Sequence, residues 1–226
     1  LQRVVYASSE TTLGLPFDEV NYVPGDEGHY PYPNSTYSLG KVMTEAMADQ
    51  VSRWAHIPFI GLRLSNIFTV DDYAAQPGFA KNPEARRWNL FGYIDARDVA
   101  QACEDALEAH LTGAHAFIIA ADDIILDLPS REALAAIHPD LTVDDDVAEF
   151  GTLLSNAAAK RALGFAPKHS WRDEATLLDG LRAVTADEVQ AVARRYFDDD
   201  TLSTARLEPQ ALGAKRPRSP FAAARH

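Results

Sequence analysis

Short apolar runs alternate along this chain with stretches of helical period. Residues 1–7, with Val4, Val5 and Tyr6 at their centre, are apolar and β-branched and predict a buried parallel strand. Phe59–Leu64 predicts a second buried strand, and residues 116–120 a third after a turn at Gly113. Between the first two, Leu39, Val42, Met43, Ala46, Met47 and Val51 recur at helical spacing. They predict a helix over Thr36–Ala55 with these residues as its core face, ended by Pro58. Residues 98–109 predict a helix capped by Asp98, and residues 129–137 a short one. Residues 155–163 predict another helix, capped by Ser155 and stopped by Gly164. Leu141, Thr142 and Val143 read as an edge strand, and Asp122 and Asp123 as loop charge. The acidic residues 13–30 read as a solvated loop. Residues 69–88, with Pro77, Gly78 and Pro83, read as a long loop that either binds substrate or makes a flexible excursion. Strands alternating with helices predict an α/β fold.

Candidate chemistry gathers where the first strand gives way to the first helix. Tyr37 and Lys41 are four apart, so a helix stacks them on one face. Phenols ordinarily titrate near about 10, and an ammonium nearby favours the phenolate, which suits moving a hydroxyl proton. Spacing alone still favours an exposed tyrosine beside a solvated lysine. The strand upstream changes the balance. It ends at Ser8 and Ser9, and in open α/β sheets chemistry sits beyond the carboxyl ends of strands. Ser9 can therefore hydrogen-bond a substrate oxygen or the phenol of Tyr37. Pro31, Pro33, Asn34 and Ser35 suit a turn into a helix N-terminus. Arg86 and Arg87 read first as surface charge and second as partners of a sugar carboxylate or phosphate.

Strand, serine, Pro-rich loop and the Tyr37-x-x-x-Lys41 helix together resemble the extended short-chain dehydrogenase/reductase superfamily, of the sugar epimerase/dehydratase type. Arg63-Leu64-Ser65-Asn66 resembles its Arg-x-x-Asn loop. Tyr93-Ile94-Asp95-Ala96-Arg97-Asp98 resembles its late strand-to-helix turn. Residues 153–173, with His169-Ser170-Trp171-Arg172-Asp173, resemble its closing segment. The resemblance covers residues 1–173 and implies the carboxyl-terminal part of a Rossmann-type parallel sheet with flanking helices. It implies NAD or NADP as cofactor and a sugar or nucleotide-sugar as substrate. Ser9, Tyr37 and Lys41 would be catalytic. Tyr37, Lys41, Ser65 and Ile67 would meet the cofactor, and Ser9, Glu10, Asn66 and Arg86 the substrate. Dehydratases of the superfamily carry an Asp-Glu pair where this chain has Glu10-Thr11, so oxidation or epimerisation is expected before dehydration.

Composition narrows the setting. The chain has 226 residues, 46% apolar and 24% charged, which is room for one sizeable domain. A net charge of −12 argues against nonspecific affinity for nucleic acid or anionic membranes. No apolar run of about 18 residues is present, so no membrane span is expected. The lone Cys103 excludes an internal disulfide and, with no visible leader, leads to a cytoplasmic expectation. No histidine has metal-site spacing, so no metal is expected.

Neither G-x-G-x-x-G nor G-x-x-G-x-x-G occurs. In the superfamily that Gly-rich turn holds the cofactor pyrophosphate and precedes the point where this chain starts. The expectation is therefore a piece of a longer protein or, as the alternative function, a non-catalytic remnant acting as a binding or assembly module. In either case Val4–Tyr6 would form an open sheet edge, and a homo-oligomer is expected. Residues 174–209 predict an appended helix and strand, with Thr185 and Glu188 as a capping box. Residues 180–209 resemble the carboxyl-terminal end of pitrilysin/insulinase-type zinc peptidases, without their H-x-x-E-H motif. The basic, Pro- and Ala-rich residues 210–226 read as a disordered tail.

Overall fold

A computed structural model describes residues 1–14 and 22–173, together with 185, 187, 190 and 191. The chain divides into two units, Leu1–Thr185 and Ala186–His226, of which the first carries the sheet and its helices. The expected extension over 174–209 and the tail over 210–226 lie, those four positions aside, outside the described residues.

Strand β1 (Val4–Ser9), helix α1 (Thr36–Ala55), strand β2 (Phe59–Leu64) and strand β5 (Ala114–Ile119) form the frame. The sheet is parallel in the order β1-β2-β5. Val4 lies opposite Phe59 and Ser9 opposite Leu64, while Leu64 also lies opposite Ile119. β2 is the middle strand, so its apolar residues are covered on both faces, and Ile60 and Leu62 are fully buried. β1 is an edge strand and only half-buried over Val4–Tyr6, with Leu1 exposed, so the expectation of a buried strand over residues 1–7 is corrected. Strands β3 (Ile67–Phe68) and β4 (Ile94–Asp95) form a short parallel pair beyond the end of β2. The rest of the unit is helix α2 (Val70–Ala75), α3 (Ala96–Glu108), α4 (Ser130–Ile137) and α5 (Ala157–Leu163), plus short 3₁₀ turns. Ile118, Ile119, Phe91, Tyr93, Ile94 and Leu154 anchor the core.

Several expectations need correction. Residues 69–88 are not a bare loop: they hold β3's exit, α2 and the 3₁₀ turns Gln76–Gly78 and Pro83–Asn89. The cap of α3 is Asp95, whose carboxylate accepts from the Arg97 N–H at 2.8 Å. Asp98 is instead buried in the first turn and fastens the closing segment. It accepts from the backbone N–H groups of Lys168 and His169 and from His169 Nδ1 at 2.7 Å. Val143 makes only an isolated bridge to Val23, not an edge strand. Helix α5 begins at Ala157 with Asn156 at its cap position, and Gly164 stops it at φ 76°. Residues 22–30 are tied down rather than merely solvated. Gly25 bridges to Leu154, and Glu27 Oε1 accepts from the Ile118 N–H at 2.8 Å, sealing that position on the outer edge of β5.

Helix α1 matches its expected bounds but presents a different face. Ser38, Ala48 and Ser52 are its buried residues, whereas Leu39, Met43 and Met47 are 48%, 64% and 57% exposed. Polar ties set this rotation. Lys41 Nζ donates to the Ala7 carbonyl at 2.9 Å, and Glu45 receives both Ser8 Oγ and the guanidinium of Arg63. The Arg63–Glu45 pair is bidentate, at 3.0 and 2.7 Å. Among the described residues no helix is long and apolar enough to cross a membrane.

Candidate active site

The carboxyl ends of β1 and β2 open onto a cavity of ≈ 340 Å³, roofed by the first turns of α1. Cavities of ≈ 360, 420 and 470 Å³ open elsewhere, so its lining rather than its size singles it out. That lining includes Ser9, Glu10, Tyr37, Lys41, Ser65, Asn66, Ile67 and Trp88. Four separate segments of sequence, around Ser9, Tyr37, Ser65 and Trp88, thus converge on one concavity.

Local geometry positions each group. Ser9 is the last residue of β1 and caps the 3₁₀ turn Glu10–Leu13. Its Oγ accepts from the Thr11 N–H at 3.2 Å and from Thr11 Oγ1 at 3.0 Å. Both lone pairs are engaged, which leaves its own O–H to donate toward the cavity. Gly14 closes the turn at φ 94°, and a Cβ there would lie 2.8 Å from the Tyr32 carbonyl. This close approach draws the Pro-rich loop onto the turn, where the Tyr32 N–H donates to the Thr12 carbonyl at 3.0 Å. The loop then enters α1 through a reciprocal cap between Ser35 and Ser38. Tyr37 follows in the first turn, 57% exposed, so its phenol is open to a ligand. Lys41 Nζ lies 5.3 Å from the centre of that ring, fixed by its bond to Ala7.

Glu10 belongs to the floor of this lining but is almost sealed, at 3% exposure. Burial pushes its carboxyl up to about 7, against the opposing pull of Ser65, Asn89, Arg86 and the Asn66 backbone. Arg86 does not line the cavity. It is buried behind it, among the rings of Phe68, Phe79 and Trp88 at 5.4, 5.5 and 4.8 Å. Its Nη2 donates to Asn66 Oδ1 at 2.8 Å and to the Gly92 carbonyl. The structure therefore brings Ser9, Glu10, Tyr37, Lys41, Ser65, Asn66 and Ile67 to one cavity, Glu10 almost sealed in its floor, and sets Arg86 behind Asn66.

Sequence reasoning passed over Trp88, Glu45, Arg63 as an ion-pair partner, and Asn89. Glu45 was within reach, since it stands one turn beyond Lys41 on the face that meets β1. Nothing in the local pattern marks Trp88 or Asn89, which stand at the end of the 3₁₀ turn Pro83–Asn89.

A family model described as the NAD dependent epimerase/dehydratase family matches residues 1–120. No curated protein sequence matches the chain. Among solved structures, UDP-N-acetylglucosamine 4-epimerase from Bacillus cereus superposes with a TM-score of 0.53 at 18% identity, over 80% of this chain and 62% of that one. UDP-glucose 4-epimerase from Thermotoga maritima, solved with UDP-glucose, gives 0.53 at 18% identity, over 80% of this chain and 63% of that one. A short-chain dehydrogenase/reductase superfamily protein from Agrobacterium tumefaciens with bound NAD gives 0.53 at 20% identity, over 86% and 69%. These likenesses show a shared Rossmann-like α/β fold. The chain spans less than two thirds of the length of the two epimerases.

Proposed function

Because the chain belongs to the NAD dependent epimerase/dehydratase family, we propose that it oxidises or epimerises a hydroxyl-bearing carbon of a sugar or nucleotide-sugar, with NAD or NADP as cofactor. The observation that carries this reading is the convergence of Ser9, Tyr37 and Lys41 on one cavity at the carboxyl ends of parallel strands. The lining also fits a nicotinamide ribose: Tyr37 and Lys41 offer polar atoms to its hydroxyls, and Ser65 and Ile67 supply the facing wall. Held there, NAD or NADP would supply the acceptor for the hydride that leaves the carbon being oxidised.

The chain's own residues handle the proton. Ser9 donates its free O–H to the reacting oxygen and aligns it. Tyr37 accepts the hydroxyl proton as that oxygen becomes a carbonyl. Lys41, held against Ala7, stabilises the negative charge on the phenol oxygen. Asn66 contacts the substrate, and Arg86 serves it from behind. Glu10-Thr11 in place of an Asp-Glu pair favours oxidation or epimerisation over dehydration. Tyr37→Phe is expected to reduce turnover by about 10²–10⁴-fold with the fold intact, since the phenol is exposed. Retained turnover would exclude the proton-transfer role.

A second reading, a binding or assembly module without catalysis, is favoured by one observation: no Gly-rich dinucleotide fingerprint occurs in the 226 residues. Titration with NAD, NADH and NADPH separates the two, because the module predicts no binding even at millimolar cofactor. In both readings residues 1–173 form the family domain and 174–209 an appended segment. The likeness of 180–209 to zinc-peptidase ends carries no proteolytic role, as the H-x-x-E-H motif is missing. Self-association and a cytoplasmic location complete the proposal.

A further inference from the structure

Behind the cavity wall, polar groups from three segments are joined out of reach of water. Glu10 is 3% exposed, Asn89 0%, Ser65 4% and Arg86 8%. Asn89 Nδ2 lies 3.5 Å from Glu10 Oε1 and donates to the Gly92 carbonyl at 2.6 Å. Arg86 Nη2 donates to the same carbonyl at 3.3 Å and to Asn66 Oδ1 at 2.8 Å. A continuous polar chain thus runs from the buried Glu10 carboxyl through Asn89, Gly92 and Arg86 to an amide on the cavity wall. Ser65 and the Asn66 backbone also pull on the Glu10 carboxyl. Arg86 Nε and Asn89 Oδ1 are buried without a hydrogen bond, and two such atoms at one place are costly, so apolar packing alone would not retain them.

The direction of the last link matters. Arg86 claims Asn66 Oδ1, so the groups Asn66 has left for the cavity are its two N–H donors. We propose that Glu10 is a positioning residue that acts through Asn89 and Arg86 to hold the Asn66 amide with its donors toward a hydroxyl or phosphoryl oxygen of the substrate. This deepens the oxidoreductase reading and rests on it only for the identity of the ligand.

The charged groups around this chain are few. Arg86 faces Glu10 from the Pro83–Asn89 turn, and Asp72 faces Arg86 from α2. Lys41 and Tyr37 line the cavity from α1. An ionised carboxylate draws the Asn89 donor and the Arg86 charge harder than a neutral acid does. Burial places the Glu10 transition at about 7, so the hold on Asn66 tightens as pH rises through that value.

The test reads Asn66 directly. The ¹⁵N–¹H signals of its side-chain amide, assigned by their loss in Asn66→Leu, are followed against pH. They are expected to titrate with a midpoint of about 7 in the unaltered protein. The titration should vanish in Glu10→Gln, and also in Arg86→Met, where Glu10 remains but the link is cut. A flat signal in the unaltered protein overturns the proposal, and needs no variant to fold. A titration that survives Glu10→Gln overturns it as well. This readout does not depend on turnover, so a titrating Asn66 in a protein that oxidises no sugar supports the relay while counting against the enzymatic reading. Where turnover is present, KM should rise about fivefold on acidification through the transition, with kcat nearly unchanged. In Glu10→Gln it should be raised and independent of pH. A KM that follows kcat, or that stays flat in the unaltered enzyme, overturns the proposal.

Discussion

Replacing Glu10 by glutamine keeps the shape of the side chain and removes its ability to ionise, so the exchange isolates the cost of a sealed charge. Burial raises this carboxyl from 4.5 to about 7. Between those values the native chain keeps the proton and the unfolded chain has released it. The native state then binds more protons, so stability falls as pH rises through the window and the loss is complete above about 7. At about 1.4 kcal/mol per pH unit, a rise from 4.5 to about 7 amounts to about 3 kcal/mol. Glutamine has no such transition, and its amide can still meet Asn89. The variant should therefore match the parent near about pH 4 and exceed it by about 3 kcal/mol near about pH 8. Urea unfolding followed by the fluorescence of the three tryptophans measures the difference at each pH. Taking the difference cancels every other titrating group, including Asp123, which burial also raises. A difference that is constant with pH, or that grows on acidification, would refute the assignment of a raised pKa to Glu10.

Three further outcomes follow from named contacts. Arg63 and Glu45 are 7% and 14% exposed at the side chain, so Glu45→Ala strands a buried guanidinium and should cost about 3–5 kcal/mol. Replacing both partners by apolar residues should cost less, which paired unfolding curves would show. Asp98→Ala strips the acceptor from Lys168, His169 and the His169 ring, and should loosen residues 168–173 by about 1–3 kcal/mol. Hydrogen exchange at the Lys168 and His169 amides measures this. Leu39, Met43, Met47 and Trp54 form an exposed apolar stripe on α1, so Met43→Glu with Met47→Glu should turn any self-associated protein monomeric in sedimentation while leaving its fold unchanged.

Helix α1 and strand β2 were legible to the residue because punctuation and pattern agreed. Ser35 caps the helix, His56 leaves it in a left-handed conformation at φ 55°, and Pro58 forbids its continuation. The buried face of α1 was not legible. Hydrophobic periodicity located an apolar stripe correctly and misassigned its surroundings, because the helix is turned by Lys41 and Glu45 toward partners on other strands. Asp95 and Asp98 could not be ranked as caps from sequence, since Asp98's acceptors are used by amides about seventy residues away. Arg86 was read as surface charge or a substrate ligand. Three aromatic rings and Asn66 around it come from distant positions and decide otherwise.

The same polar ties explain how an exposed helix can hold reactive groups in place. An apolar contact tolerates sliding and rotation, because dispersion is nearly indifferent to direction, whereas a hydrogen bond fixes both distance and angle. On α1, Tyr37, Lys41 and Glu45 follow one another at single-turn intervals. Lys41 is tied to the backbone of Ala7, and Glu45 to Ser8 and, through Arg63, to β2. Those anchor points immediately precede Ser9 in the same strand. The ties that set the rotation of α1 therefore also set where Tyr37 stands relative to Ser9, so the strand and helix that share the cavity are registered to each other beside the residues proposed to react. The apolar side of α1 is left facing outward because this registration uses the other side.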